Sequence, residues 1–254
     1  MAALMTSVLD NAGKVAEYIM VCREMGIDVL PPDINVGEGK FAVSDGKIRY
    51  GMYAIKSIGR PVVDFIVAER QQNGDYKTIE DFLKRVSGKE VNKRAVENLI
   101  KAGAMDGLDG NRHQMIKVFP SIMDRISSDK KSSMAGQMTL FDIASDDIKE
   151  EFEIKMPDLE EYDKEEFLAL EKEVLGVYIS GHPLEKYTEL LKKNVTAGCR
   201  DFMLDEETHK ATVADGAMVI IGGMITDKTI KYTRNNQTMA FITCLLYTSD
   251  AADD

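Results

Sequence analysis

Apolar residues recur at three- and four-residue spacing along most of the first half of the chain. In residues 1–26, Val15, Ile19, Cys22 and Met25 share one helical face, and Gly26 stands where a C-terminal cap belongs. A short apolar run from Ile27 to Leu30 then meets Pro31-Pro32, which stops helix and strand pairing alike. Residues 41–50 alternate instead, and Asp45-Gly46 predicts a hairpin turn between Phe41, Val43 and Ile48, Tyr50. Helical spacing resumes at 61–72, 78–86, 92–102 and 110–126, with short, glycine-rich connections. Residues 127–136, Ser-Ser-Asp-Lys-Lys-Ser-Ser-Met-Ala-Gly, have the composition of a linker. Beyond residue 218 the period changes. Val219–Ile225, Thr229–Thr233 and Met239–Thr243 predict three short strands, with Asn235-Asn236 turning between the second and third and Gly222-Gly223 marking a bulge. The expected fold is mainly α with a small all-β part.

Charge sharpens this division. The 254 residues carry a formal charge of −11, a poor starting point for a nucleic-acid binder. Residues 142–173, however, hold fourteen acids against four bases, whereas residues 51–118 hold twelve bases against nine acids. Nearly all of the negative charge is therefore local, and such an acidic run reads as a solvated face. Three scattered cysteines and three scattered histidines form no metal-ligand spacing and no disulfide framework. No apolar run approaches the roughly 20 residues that span a bilayer, and the N-terminus lacks the features of a signal peptide. A cytoplasmic location with no membrane partner is expected.

Three segments carry chemistry. Tyr50–Arg70 has the form of a helix-hairpin-helix element, in which a tight turn with a glycine opens a helix. Amides of that turn and helix start can face a phosphate, and the glycine lets backbone approach it closely. Lys56, Ser57, Ile58, Gly59 and Arg60 are the candidate DNA-binding residues, with Ser57 where the motif's first glycine belongs. A second unit runs through Gly88 into the helix from Asn92. There Lys89, Lys93 and Arg94 cluster at a helix start, where cations oppose the helix dipole and a plain solvated face would favour acids. Contacts of this kind position DNA without reading its sequence. The third segment is Gln137-Met138-Thr139-Leu140-Phe141, whose Gln137, Met138, Leu140 and Phe141 fit a linear motif with an amide anchor and two apolar plugs. Ser180-Gly181-His182-Pro183 reads as a turn and cap, and the fifteen methionines as core filler.

Taken in order, residues 22–35, 50–59, 92–106, 137–141, 171–184 and 239–243 resemble the replicative C-family DNA polymerases of bacteria, the alpha subunits of DNA polymerase III, over 1–243. The resemblance implies an internal segment truncated at both ends. Residues 1–45 would end the fingers domain, and 46–118 would be a tandem helix-hairpin-helix module on duplex DNA. Residues 119–199 would hold a linker, the sliding-clamp motif 137–141 and an acidic helical segment. Residues 200–243 would open an incomplete OB-fold near single-stranded template. The tail 244–254 departs from the family pattern and resembles translated adapter sequence. The implied activity is that of a DNA-directed DNA polymerase, a nucleotidyltransferase of DNA replication, with Mg2+ held by palm aspartates that do not occur in this stretch. Catalytic and metal-binding residues are therefore not expected here. The implied partners are primer-template DNA, the sliding clamp, a 3′–5′ exonuclease and other holoenzyme subunits. The alternative is a non-enzymatic DNA-binding adaptor that tethers a partner to the clamp.

Overall fold

A computed structural model describes residues 1–87, 91–134, 155–202, 204, 210–233 and 235–246. The helical spacing of residues 1–26 folds into two helices, α1 (Ala2–Ser7) and α2 (Ala12–Glu24), instead of one. Asn11 separates them, because its side-chain carbonyl accepts from the Lys14 amide at 3.1 Å and so caps α2. Val15, Ile19 and Cys22 are buried as their spacing predicts, while Met25, beyond the end of α2, is exposed. The apolar run before the prolines supplies β1 (Val29–Leu30), which pairs in parallel with β3 (Lys47–Arg49). β2 (Ala42–Ser44) pairs antiparallel with β3 through the expected turn, with Asp45 at φ 52° and Gly46 at φ 78°. Those paired positive values are the twist-matched hairpin geometry for which Asp-Gly is suited.

A 3-10 turn at Met52–Ala54 leads to α3 (Arg60–Asn73), α4 (Ile79–Val86) and α5 (Lys93–Lys101), each within two residues of its predicted bounds. Caps set the starts: Thr78 Oγ1 accepts from the Asp81 amide at 3.0 Å, and the Asn92 side chain from the Ala95 amide at 2.9 Å. Ile79, Phe82, Leu83 and Val86 of α4 and Ala95, Val96, Leu99 and Ile100 of α5 all enter the core. The fourth helix differs from expectation. α6 runs from Arg112 to Met134 and so carries residues 127–134 of the segment that composition marks as a linker. Ile122 and Ile126 anchor its preceding turns, the Ser127 hydroxyl donates to the Met123 carbonyl, and Lys130 Nζ reaches the Ser87 carbonyl and hydroxyl, both at 2.7 Å. A helix already nucleated by tertiary contact extends cheaply through serines and lysines.

The acidic segment is also more than a solvated face. Its described part includes α7 (Lys164–Leu175), capped by Asp163 and ended by Gly176, and it buries Leu168, Glu171, Val174 and Leu175. The chain before it lies on the start of α6. Glu161 accepts from the Arg112 and His113 amides at 3.0 and 3.2 Å, and Asn111 and Gln114 donate to the carbonyls of Leu159 and Pro157. A carboxylate at a helix N-terminus satisfies free amides and opposes the dipole, which explains why acids sit there. Arg112, 1% exposed, forks onto Asp106 at 2.8 and 2.7 Å, lies 3.6 Å from the fully buried Glu171, and covers the Phe167 ring. Glu171 in turn accepts from the amides of Ile179 and Ser180, and the Ser180 hydroxyl bonds it as well. Residues 1–180 form one compact unit around a single apolar core, in which Met5, Met52, Met105 and Met115 serve as filler.

Residues 181–254 form the second unit. His182 Nδ1 accepts from the Leu184 amide, the expected turn, before a short α8 (Thr188–Asn194). Among the described residues two strands replace the predicted three. β4 (Gly223–Tyr232) is continuous, because Asp227-Lys228 lacks the backbone of a reversal, and it pairs with β5 (Thr238–Leu246) around a turn with Asn236 at φ 57°. The bulge falls between Ile225 and Asp227, not at Gly222-Gly223; Gly222 instead lets Leu191 and Val195 approach closely. Ile225, Ile230, Tyr232, Met239, Phe241 and Ile242 are all exposed. A two-stranded ribbon is marginal in water by itself. Amides of 223–243 are therefore expected to exchange with solvent in seconds, while those of 62–70 and 94–101 stay protected. Equal protection by hydrogen exchange would refute this.

Candidate nucleic-acid interface

The first hairpin turn is built by backbone. Ser57 stands at φ 60°, the left-handed region that favours glycine, which accounts for its motif position. Gly59 then caps α3 in extended conformation, φ −71° and ψ 146°, with no side chain to cover the helix start and Pro61 in the first turn. The amides of Ile58, Gly59 and Arg60 have no intramolecular acceptor among the described residues. Ile58 is buried, so its side chain anchors the turn and only its backbone faces outward. Arg60 lies over the Tyr53 ring at 5.5 Å, and the Tyr53 hydroxyl bonds Asp64, which pushes the phenol pKa up.

Two distant elements hold this turn. The Asn98 side chain of α5 donates to the Lys56 carbonyl at 2.7 Å, and the Lys56 amide donates to the Val174 carbonyl at the end of α7 at 2.9 Å. An open groove of about 560 Å3 results, lined by Lys56 and Ser57 from the first turn and by Lys93, Arg94, Glu97, Asn98 and Lys101 from α5, with Glu173 and Val174 from α7. Spacing explains the α5 share: Lys93, Glu97 and Lys101 are four apart, as are Arg94 and Asn98, so they form one face.

The groove holds four cations and two carboxylates. Lys93 pairs with Asp124 at 2.6 Å, and Lys101 lies between Glu97 and Glu173, each at 3.0 Å. Burial pulls the Lys101 ammonium pKa down, but the two carboxylates outweigh it and raise it, so Lys101 stays charged. Lys172 moves the other way, lowered by burial and by nearby Lys56. Arg94 is exposed and makes no ion pair among the described residues.

Of the eight predicted DNA-binding residues, Lys56, Ser57, Lys93 and Arg94 thus meet in one groove. Gly59 and Arg60 are exposed at the start of α3, Ile58 is in the core, and Lys89 lies outside the described residues. The predicted clamp motif, Gln137, Met138, Leu140 and Phe141, also lies outside them. Sequence reasoning missed Asn98 and Lys101, although the four-residue step from Lys93 and Arg94 points to that face. It also missed Glu173 and Val174, for which no local signal exists.

Comparison with known proteins matches this geometry. A family described as a helix-hairpin-helix motif covers residues 26–115. The DNA polymerase III subunit alpha of Borreliella burgdorferi is 37% identical over 95% of this chain and 20% of its own length. That of Chlamydia pneumoniae is 39% identical over 76% of this chain and 16% of its own, and that of Mycobacterium leprae 37% over 89% and 18%. The chain spans about a fifth of the length of these curated relatives. Identity of this extent, with the helix-hairpin-helix match across the groove-forming helices, places the chain in the family of DNA polymerase III alpha subunits.

Proposed function

We propose that residues 46–118 bind the backbone of duplex DNA without sequence preference, as part of a replicative DNA polymerase. The observation that carries this reading is the groove itself, where the first hairpin turn and the start of α5 bring Lys56, Ser57, Lys93 and Arg94 together, beside α3-start amides that have no acceptor among the described residues. Amides and cations at helix starts suit phosphates, which are the same in every sequence. The end of a fingers domain before the module and an OB-fold after it belong to the same reading. Template-directed nucleotide addition belongs to the whole polymerase. Among the described residues no group of three or more His, Cys, Asp or Glu could hold a metal ion; in this reading the Mg2+ of nucleotide addition belongs to the whole polymerase. No helix among the described residues is long and apolar enough to cross a membrane. The relatives' greater length favours the polymerase over a free-standing adaptor.

Gly59→Ala tests the interface. A Cβ at Gly59 meets only Pro61 Cδ, at 3.7 Å, and φ is ordinary, so the fold should tolerate it at a cost of no more than about 1 kcal/mol for alanine at a helix N-cap. Affinity for two duplexes of unrelated sequence should fall equally, because the methyl occupies the space a phosphate needs. Unchanged affinity would remove the turn from the interface.

Gln137–Phe141 is proposed to dock on the sliding clamp, with Leu140 and Phe141 filling an apolar pocket and Gln137 anchoring by its amide. Binding of micromolar order, about −8 kcal/mol, is expected. Leu140→Ala with Phe141→Ala should abolish it in a clamp-binding titration. Binding that survives the double change would place the clamp site elsewhere.

A further inference from the structure

Glu173 is positioned oddly for a DNA groove. It belongs to α7, more than seventy residues from either turn, yet it touches two of the groove's cations. Its backbone carbonyl accepts from Lys56 Nζ at 2.9 Å, and its carboxylate holds Lys101 Nζ with both oxygens, at 3.0 and 3.2 Å. Lys101 is 15% exposed and has a second partner on its own helix, Glu97 at 3.0 Å. The Glu173 side chain is 58% exposed. Lys101 therefore keeps a counter-ion if Glu173 swings away, and more than half of the Glu173 side chain already faces solvent. Its backbone cannot leave so easily, because the neighbouring Val174 carbonyl accepts from the Lys56 amide.

We infer that the Glu173 carboxylate competes with DNA phosphate for the groove: it neutralises Lys101 in the free protein and is displaced when a duplex enters. This rests on the duplex-DNA reading of the groove. A phosphate seated by Lys56 and the α3 amides brings negative charge beside Glu173, and like charges at such range repel. Once Glu173 yields, Lys101 becomes a further phosphate ligand one helical turn beyond Asn98 and about two beyond Arg94. Affinity is thereby held below what the four cations could provide. A non-specific binder that must move along its substrate tolerates such weakening, because phosphate contacts made and broken in succession permit sliding. Glu97 cannot take this role as readily, since it shares a helix with Lys101 and remains its partner in either state.

The test is Glu173→Gln in the full chain, titrated with a blunt duplex by fluorescence anisotropy across 50–200 mM salt. The variant should bind about 3- to 10-fold tighter at the lowest salt, with a log–log slope steeper by about one unit as Lys101 joins the phosphate contacts. Adding Lys101→Gln should return the slope to that of the wild type. A purely structural Glu173 would change thermal stability and leave the slope alone; unchanged or weaker binding by a folded Glu173→Gln overturns the inference. Should that variant misfold, Glu173→Asp, which shortens the reach to Lys101, must still steepen the slope or the inference fails. Failure of the parent reading looks different: wild-type chain would then show no salt-dependent DNA binding, and Lys56→Glu would change nothing.

Discussion

Replacing Arg112 by Ala should destabilise residues 1–180 by about 3–5 kcal/mol, the usual cost of breaking a buried ion pair from one side. The guanidinium is 1% exposed and satisfies several groups at once: the Asp106 carboxylate, the Lys101 carbonyl at 3.1 Å, and the charge of Glu171. Alanine leaves Glu171 fully buried without a cation and removes the contact with Phe167. It also releases the start of α6 from α7, which holds the first hairpin turn. At roughly 2–4 °C per kcal/mol for a unit of this size, Tm should drop by roughly 6–20 °C. Asp106→Asn should cost less, about 1–2 kcal/mol, because that carboxylate is partly exposed and its neutral form still accepts. Thermal denaturation followed by circular dichroism separates the two. A loss below about 1 kcal/mol for Arg112→Ala would mean that the surrounding carbonyls and water compensate for the network.

Charge reversal at both turns, Lys56→Glu with Arg94→Glu, should nearly remove duplex binding while sparing the fold. Both side chains are exposed, and neither is in an ion pair among the described residues. Wild-type affinity should fall with salt at a log–log slope of roughly −3 to −4, as expected for three to five neutralised phosphates. Each lost contact flattens that slope by about one, so the double variant should show a slope of roughly −1 to −2. Two unrelated duplex sequences should respond alike, since no base edge is read. A slope that does not move would show that α3 and α5 pair for packing alone and that DNA binds elsewhere.

The helices and their order were legible in the sequence because amphipathic periodicity is a local property. Val15, Ile19 and Cys22, or Phe82, Leu83, Val96 and Leu99, announce their burial by spacing. Caps and turns are local too, so Thr78, Asn92 and Asp45-Gly46 marked their boundaries within a residue or two. The first hairpin turn could be named for the same reason, down to the serine that occupies a glycine's conformation. Composition misled where tertiary contact decides the outcome. Residues 127–134 look like a linker, yet α6 carries them because Ile122 and Ile126 are already anchored. The acidic run looks solvated, yet Glu161 satisfies helix amides and Glu171 is buried against Arg112. Strand count failed similarly, since nothing local distinguishes a bulge at Thr226 from a reversal there. What the sequence alone determined was therefore the kind of most elements, the first hairpin turn and the basic start of α5. Only the tertiary structure decided that this turn and α5 line one groove, that Asn98 and Val174 hold the turn, and that Glu173 arrives beside Lys101. Those contacts join residues 42 to 118 positions apart, and a pairing over such distance is set by which faces bury one another, not by any pattern within a window.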